Sequence, residues 1–293
     1  MPHYTLIDSE DLVVVVPGCD SGFGAEILND LYQRGDSTIY AICLTFQAVE
    51  KYQAKDHLCG QIESKCLQGV YCVLNNARIN IGGHFDLTAK DAFERMMDVN
   101  YMGVICATKA LLPSLSAYAN SRHTLPDGQK LPRACLISVT SVADRTNASG
   151  LGPYSASKHA AQSILDTLRV ELSPWEIDVS MIEPFFAKTP IMTNSFTAFE
   201  QNWKRADDCV HAMYGPAFVE SARKQNQFLY EKAIPHRWVV QAAVNAIRKK
   251  NGTQTSRTLV GFWYVRFLVW FLKRAPEWVV DGMLLSSMRK CGS

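Results

Sequence analysis

The 293-residue chain contains no run of about 18 uncharged apolar residues, the length a bilayer-spanning helix needs, so no membrane-crossing segment is expected. Its opening, "MPHYTLIDSEDLVVVV", lacks a basic stretch followed by an apolar one, so neither a signal peptide nor an N-terminal anchor is expected. Charge of one sign is scarce: 30 basic and 28 acidic residues leave a net +2. Aromatic and basic residues do not interleave either, and together these features argue against a nucleic-acid partner. The nine cysteines include no CxxC pair and no Cys/His ligand spacing, so reduced core thiols are expected, with no metal site and no disulfide framework. Internal repeats and low-complexity tracts are absent.

What is present is apolar material for a large core, 47% of the residues, in short β-branched runs that alternate with longer helical stretches. Strands are predicted at Leu12–Val16, Ile39–Leu44, Val70–Leu74, Ala134–Val139 and Ile177–Ile182. Helices are predicted at Ala25–Arg34 with Gly35 as C-cap, at Ala92–Leu112 ending near Pro113, and at Tyr154–Leu172 closed by Pro174. Asn120–Arg133 reads as a polar surface loop. The alternation predicts an α/β fold: one single-domain doubly wound parallel sheet, Rossmann-like over residues 12–190. From about residue 195 the pattern becomes helical, which suggests a substrate-side region over 191–293.

"VVVVPGCDSGFGAEIL" sets a GxxxGxG pattern between a strand and a helix. Gly18 lets the chain turn, while Gly22 and Gly24 let backbone approach a ligand and let the helix pack close to the sheet. The new helix points unpaired N–H groups and its positive dipole end at that place, which suits a pyrophosphate. By itself the pattern also fits a purely structural turn. A partner for an adenosine ribose should lie about 20 residues further on, at "AICLT", where Leu44 and Thr45 are the candidates. No lysine or arginine is there to receive a phosphate, which leans towards NAD over NADP.

"YSASKHA" places Tyr154 and Lys158 four apart on one helical face, and Ser141 lies 154 − 141 = 13 positions earlier, just past a strand. Hydride transfer between an alcohol and a nicotinamide requires a group that takes or returns the hydroxyl proton. A free phenol, with a pKa of about 10, is a weak base at neutral pH, and a nearby ammonium favours its ionised form. A serine hydroxyl can hold the substrate oxygen against the phenol.

With "CDSGFG", "CLT", "NNA", "VNYMG", "YSASK" and "IEPFFAKT" in this order, the chain resembles the short-chain dehydrogenase/reductase superfamily, in its retinol and hydroxysteroid dehydrogenase branch. The likeness covers roughly residues 12 to 195. It implies Tyr154 as catalytic acid/base, Lys158 as its electrostatic helper, Ser141 as the substrate-orienting hydroxyl, and Asn100 as support for the lysine through a water relay. It implies Gly18, Ser21, Gly22, Phe23 and Gly24 as the pyrophosphate turn, with Leu44, Thr45, Asn75, Asn76 and Ala77 beside the adenosine. Thr189 would contact the nicotinamide amide, with Tyr154 and Lys158 also at the cofactor. The implied activity is an NAD- or NADP-dependent dehydrogenase acting on a lipophilic alcohol or carbonyl such as a retinoid or hydroxysteroid, with a homodimer as one assembly.

The chain also departs from that pattern. Pro17 stands where the family has threonine, Arg78 where it has the glycine of "NNAG", and Phe185 where it has the glycine of "PG". Either glycine replacement is strained if the backbone needs a positive φ. Between "CLT" and "NNA" the third strand unit is expected to be shortened or degraded. These departures keep a second reading open, a catalytically impaired relative acting as a membrane-associated interaction protein. The segment 259–285 sets aromatic residues among basic ones, with Leu259–Leu272 too short to span a bilayer. It suits either a helix in the membrane interface or a packing helix. The resemblance places the protein peripherally at the endoplasmic reticulum, with the cytoplasm as the other expectation.

Overall fold

The valine run Val13–Pro17 forms β1, buried along its whole length, as a β-branched strand covered on both faces should be. The computed structural model describes residues 12–19, 21–35, 37–42, 69–122, 131–145, 148–248 and 256–282. After β1 come α1 (Gly22–Arg34), β2 (Thr38–Ile42), β3 (Cys72–Asn75) and α2 (Lys90–Met97). A π-helical turn, Asp98–Met102, then leads into α3 (Gly103–Ser121), β4 (Ala134–Val139) and α4 (Gly152–Glu171). The chain continues through β5 (Ile177–Pro184), α5 (Pro190–Arg205), α6 (Asp208–Tyr214), α7 (Phe218–Glu231), α8 (His236–Ile247), β6 (Arg257–Val260) and α9 (Trp263–Leu272).

The predicted parallel sheet forms, with strand order β2-β1-β3-β4-β5-β6 and every pairing parallel. The order reverses between β1 and β3, so the loops leaving these two strands diverge and open a crevice at their carboxyl ends. Helices α1 and α8 pack together against the sheet, while α3 and α4 pack on β3, β4 and β5. Val14, Val15, Val16, Val73, Leu136 and Ile137 are fully enclosed between these layers. Among the described residues β2 is one sheet edge and β6 the other; the segment expected to hold a degraded third strand, 43–68, lies outside the described residues, as do Leu44 and Thr45.

Two boundaries depart furthest from the sequence reading. The helix expected to stop near Pro113 runs on to Ser121 and absorbs the first residues of the predicted polar loop. Pro113 and Lys109, whose rung the proline removes, both face solvent, so water can serve the freed carbonyl. The buried stripe of Leu111, Leu115 and Tyr118 holds the helix to the sheet. Lys90–Ser121 is the described helix long and apolar enough to cross a bilayer, yet its apolar face is spent on this packing. The second is β6, which takes Leu259 and Val260 out of the expected interfacial helix; α9 starts only at Trp263. Four residues between a polar stretch and a longer aromatic run gave β6 too short a signal of its own.

Candidate functional site

At the β1–α1 junction Gly18 and Gly22 adopt φ of +79° and +60°, the left-handed region that glycine enters without strain. A side chain on Gly18 would collide with the Ala77 backbone, its Cβ falling 2.6 Å from Ala77 Cα. Around Gly22 a Cβ would meet nothing within 4 Å, so the turn has open space there. Ser21, the exposed N-cap of α1, makes no side-chain capping bond, and the first turn carries no acidic residue. The first N–H groups of α1 and its positive end are therefore uncompensated, a cradle that fits a diphosphate.

The loops after β3, β4 and β5 close a cavity of about 490 Å³ with α5 and α7. Phe23, Arg78, Ser141, Tyr154 and Thr189 line it. Phe186, Phe196, Phe199, Phe218, Met192 and Leu229 make the rest of the wall predominantly apolar. His84 is among its polar groups, and burial lowers its pKa, so it favours the neutral imidazole.

Ser141 follows β4 in extended backbone (φ −164°) and caps a 3-10 turn, Val142–Asp144, its Oγ accepting from the Ala143 N–H at 3.1 Å. Pro153, one residue into α4, has the fixed φ that suits a helix start, and the first turn of α4 then carries Tyr154. Tyr154 is buried among Met96, Ala143, Ile79 and Ile81. Burial raises its pKa; the Arg78 charge and a Ser141 hydrogen bond pull it back, and Asp144 adds to the rise. One turn along α4, Lys158 is almost fully enclosed, its Nζ donating to the Val139 carbonyl at 3.3 Å and lying 5.8 Å from the Tyr154 ring centroid. Burial pushes the ammonium down to about 7, Arg78 adds to that fall, and Asp144 opposes it.

The structure brings Gly18, Gly22, Phe23, Gly24, Ala77, Ser141, Tyr154, Lys158 and Thr189 to one region, whereas two of the asparagines spend their side chains on the scaffold. Asn75 Nδ2 donates to Thr108 Oγ1 on α3, and Asn76 Nδ2 to the Gly18 carbonyl. Asn100, inside the π-helical turn and wholly buried, accepts from the Ile79 N–H at 2.8 Å and donates to the Ile79 carbonyl and Ser157 Oγ, both at 2.9 Å. Its side chain clamps the Arg78 loop to α4. Neither Arg78 nor Phe185 has a positive φ, so the strain contemplated for these replacements does not arise.

Asp144 is a buried acid that the sequence reading passed over; its carboxyl is pushed up to about 6 by burial and by the neighbouring Glu183 charge. An acid three residues past the strand-end serine, in "SVAD", was the available signal. The region beyond Thr189 was expected on the substrate side, but its wall residues were not named, although Phe196 and Phe199 stand at helical spacing.

A model of the short chain dehydrogenase family matches residues 39–200. Retinol dehydrogenase 16 of Homo sapiens is 30% identical over 244 residues, which span 76% of this chain and 72% of that protein. Retinol dehydrogenase 5 of Mus musculus is 29% identical over 237 residues, 73% of this chain and 70% of that one. Among solved structures, a short chain dehydrogenase from Burkholderia cenocepacia in complex with NADP aligns with a TM-score of 0.65 at 19% identity, covering 95% of this chain and 99% of that one. A short chain dehydrogenase/reductase from Burkholderia phymatum in complex with NAD also aligns with a TM-score of 0.65, at 18% identity, covering 90% and 94%. At such identities the two structures show a shared fold.

Proposed function

The chain belongs to the short chain dehydrogenase family, in its retinol dehydrogenase branch, and from that premise we propose that it moves a hydride between a nicotinamide dinucleotide and a lipophilic alcohol or carbonyl of the retinoid or hydroxysteroid class. One observation carries the reading: Tyr154 and Ser141 line the same mostly apolar cavity, which also reaches Phe23 of the glycine-rich turn. The nicotinamide ring supplies the hydride acceptor or donor. The α1 N-terminus with Gly22 would hold the diphosphate, with Gly24 packing the helix against the Gly18 turn, and Thr189 would serve the carboxamide. Ser141 holds the substrate oxygen, and Tyr154 Oη takes the hydroxyl proton during oxidation and returns it during reduction. The phenylalanines of α5 and α7 bind the apolar body and exclude water from Tyr154. NAD is preferred over NADP because "AICLT" carries no cation.

We place the protein peripherally on an endoplasmic reticulum membrane. On and just after α9, Trp263, Phe267, Trp270 and Trp278 are all at least half exposed, with Arg266 and Arg274 among them. Aromatic and basic side chains in this mixture suit the headgroup layer.

Fluorescence of NADH titrated with purified protein, followed by turnover assays with retinol and hydroxysteroids, tests the reading. Saturable NADH binding with turnover of at least one of these alcohols is expected. NADH binding with no turnover of any of them would favour the impaired-relative reading instead.

A further inference from the structure

The polar side chains of the cavity wall are not equally available to a ligand. Thr140 and Thr189 donate their hydroxyls to the Ile182 and Ala187 carbonyls, and Tyr214 donates its own to Asp86. Ser149 and Gln225 are exposed to solvent. His84 differs from all of these. Its half-buried ring stands edge-on to two rings of the same wall, Tyr214 at 5.5 Å and Phe218 at 5.1 Å between centroids. These two contacts hold the imidazole in one orientation. Neither ring nitrogen has a hydrogen-bond partner among the described residues. In its neutral form the ring offers one N–H donor and one bare acceptor.

The loop bearing His84 is tied to the approach to α4. The Gly83 N–H donates to the Gly150 carbonyl at 3.3 Å, and a Cβ on Gly150 would stand 3.8 Å from His84 Nε2. Gly150 precedes Tyr154 by four residues, a stretch of chain that spans at most about 14 Å. The imidazole and the phenol thus lie within reach of one multi-ring molecule in the cavity they both line.

We propose that His84 is a specificity-determining residue whose imidazole hydrogen-bonds a second, non-reacting oxygen of the substrate, while Ser141 and Tyr154 engage the reacting one.

The substrate so selected is a rigid apolar body with an oxygen at each end, such as a hydroxysteroid with a distal ketone or hydroxyl. A retinoid alcohol has only one oxygen. When it fills the cavity it displaces water from the imidazole and leaves that polar group unpaired against hydrocarbon, a penalty that the two-oxygen substrate avoids. The inference rests on the hydride-transfer reading for which oxygen reacts, and not for the binding itself.

Equilibrium dialysis in the presence of NADH tests it with androsterone, which carries a hydroxyl at one end and a ketone at the other, and with the same tetracyclic alcohol lacking the ketone. The native protein should hold androsterone about tenfold tighter than the ketone-free alcohol. His84→Phe keeps the edge contacts to Tyr214 and Phe218 and removes both ring nitrogens, so it should bring the two affinities to within about twofold. His84→Gln retains a donor and an acceptor and should keep a preference of at least about threefold. Should His84→Phe fail to fold by circular dichroism, His84→Leu makes the same comparison. Asn80 and Asn226, the half-buried amides of the wall, are the competing partners for the ketone. The proposal is overturned if the native protein holds the two steroids equally or holds neither, or if His84→Phe preserves the preference. It is equally overturned if Asn80→Leu or Asn226→Leu erases the preference as fully as His84→Phe does. Dialysis reads binding without turnover, so a protein that prefers androsterone through His84 yet never oxidises it would sink the hydride-transfer reading alone.

Discussion

Asn76 Nδ2 donates a 2.7 Å hydrogen bond to the carbonyl of Gly18, fastening the loop after β3 to the turn after β1. These are the two strands between which the sheet reverses its order, so the bond sits at the root of the crevice. The Gly18 Cα also lies too close to Ala77 for a side chain to fit between them. One asparagine and one glycine thus set the spacing of the cofactor cradle, with no part in the chemistry.

Gly22 and Gly18 should separate binding from folding when each is changed to alanine. Gly22→Ala places a methyl in open space at a φ of +60°, costing about 1–2 kcal/mol and lowering the melting temperature modestly. The methyl would stand where the diphosphate approaches, so NADH affinity should fall at least about tenfold, a loss of 1.4 kcal/mol. Gly18→Ala meets the rigid Ala77 backbone at 2.6 Å and should unfold before its affinity can be measured. Calorimetry beside a fluorescence titration distinguishes the two; Gly22→Ala with native affinity would move the diphosphate elsewhere.

Tyr154→Phe removes the oxygen proposed to transfer the proton and leaves the ring in its pocket with Met96 and Ala143. Turnover should fall by about 10²–10⁴-fold with NADH affinity retained. Ser141→Ala should also slow turnover, and because Ser141 caps the following turn it should additionally lose about 1 kcal/mol of stability in urea. Retained turnover in Tyr154→Phe refutes the acid/base assignment.

How far the sequence revealed all this depended on the range of each signal. Local patterns worked: the valine run, Gly35 at the end of α1 (φ +62°) and the strand-turn-helix around Gly22 formed as expected. The meeting of Tyr154 with Ser141 and Lys158 was legible because the motif fixes helical spacing within twenty residues. Contacts across the fold were not. Nothing in "NNAR" says that Arg78 lies along Phe23 while Asn76 faces Gly18, since those directions follow from the packing of two loops 60 residues apart. The apolar wall was hidden because α5 and α7 fully bury one position each, Phe199 and Phe218, and turn further apolar side chains to the cavity, which local pattern does not distinguish from a core face. Pro113 misled because a proline on an exposed helical face breaks little.

Glu183, fully buried on β5, is held by Arg145 at 2.5 Å and by Arg257 of β6 at 2.8 Å, and Arg257 also contacts Asp166 of α4. Removing Arg257 leaves the enclosed Glu183 with one of its two counterions, Arg145, and strips Asp166 of a partner. Arg257→Met should therefore destabilise in urea unfolding, by less than the roughly 3–5 kcal/mol of a wholly unpaired buried charge. Adding Glu183→Gln to it should recover part of the loss. If the double variant is no more stable than Arg257→Met, the ion pair does not hold β6 to the sheet.

Asp144 makes the stability depend on pH in a sense opposite to that of a salt-bridged carboxylate. Its folded pKa is raised, from 3.8 to about 6, so between these values the folded state binds more protons than the unfolded one. Stability contributed by this group is full below about 3.8 and falls as pH rises towards 6. A shift of about two units corresponds to at most about 3 kcal/mol, the penalty of carrying the buried carboxylate at neutral pH. Asp144→Asn removes that penalty while keeping the shape, so it should melt higher than the native protein at pH 7 and lose the advantage by pH 4. Melting curves at the two pH values measure the difference directly. An unchanged gap between native and variant at both would mean that Asp144 is ionised at no cost, stabilised by Arg145 and the hydrogen bonds of its turn.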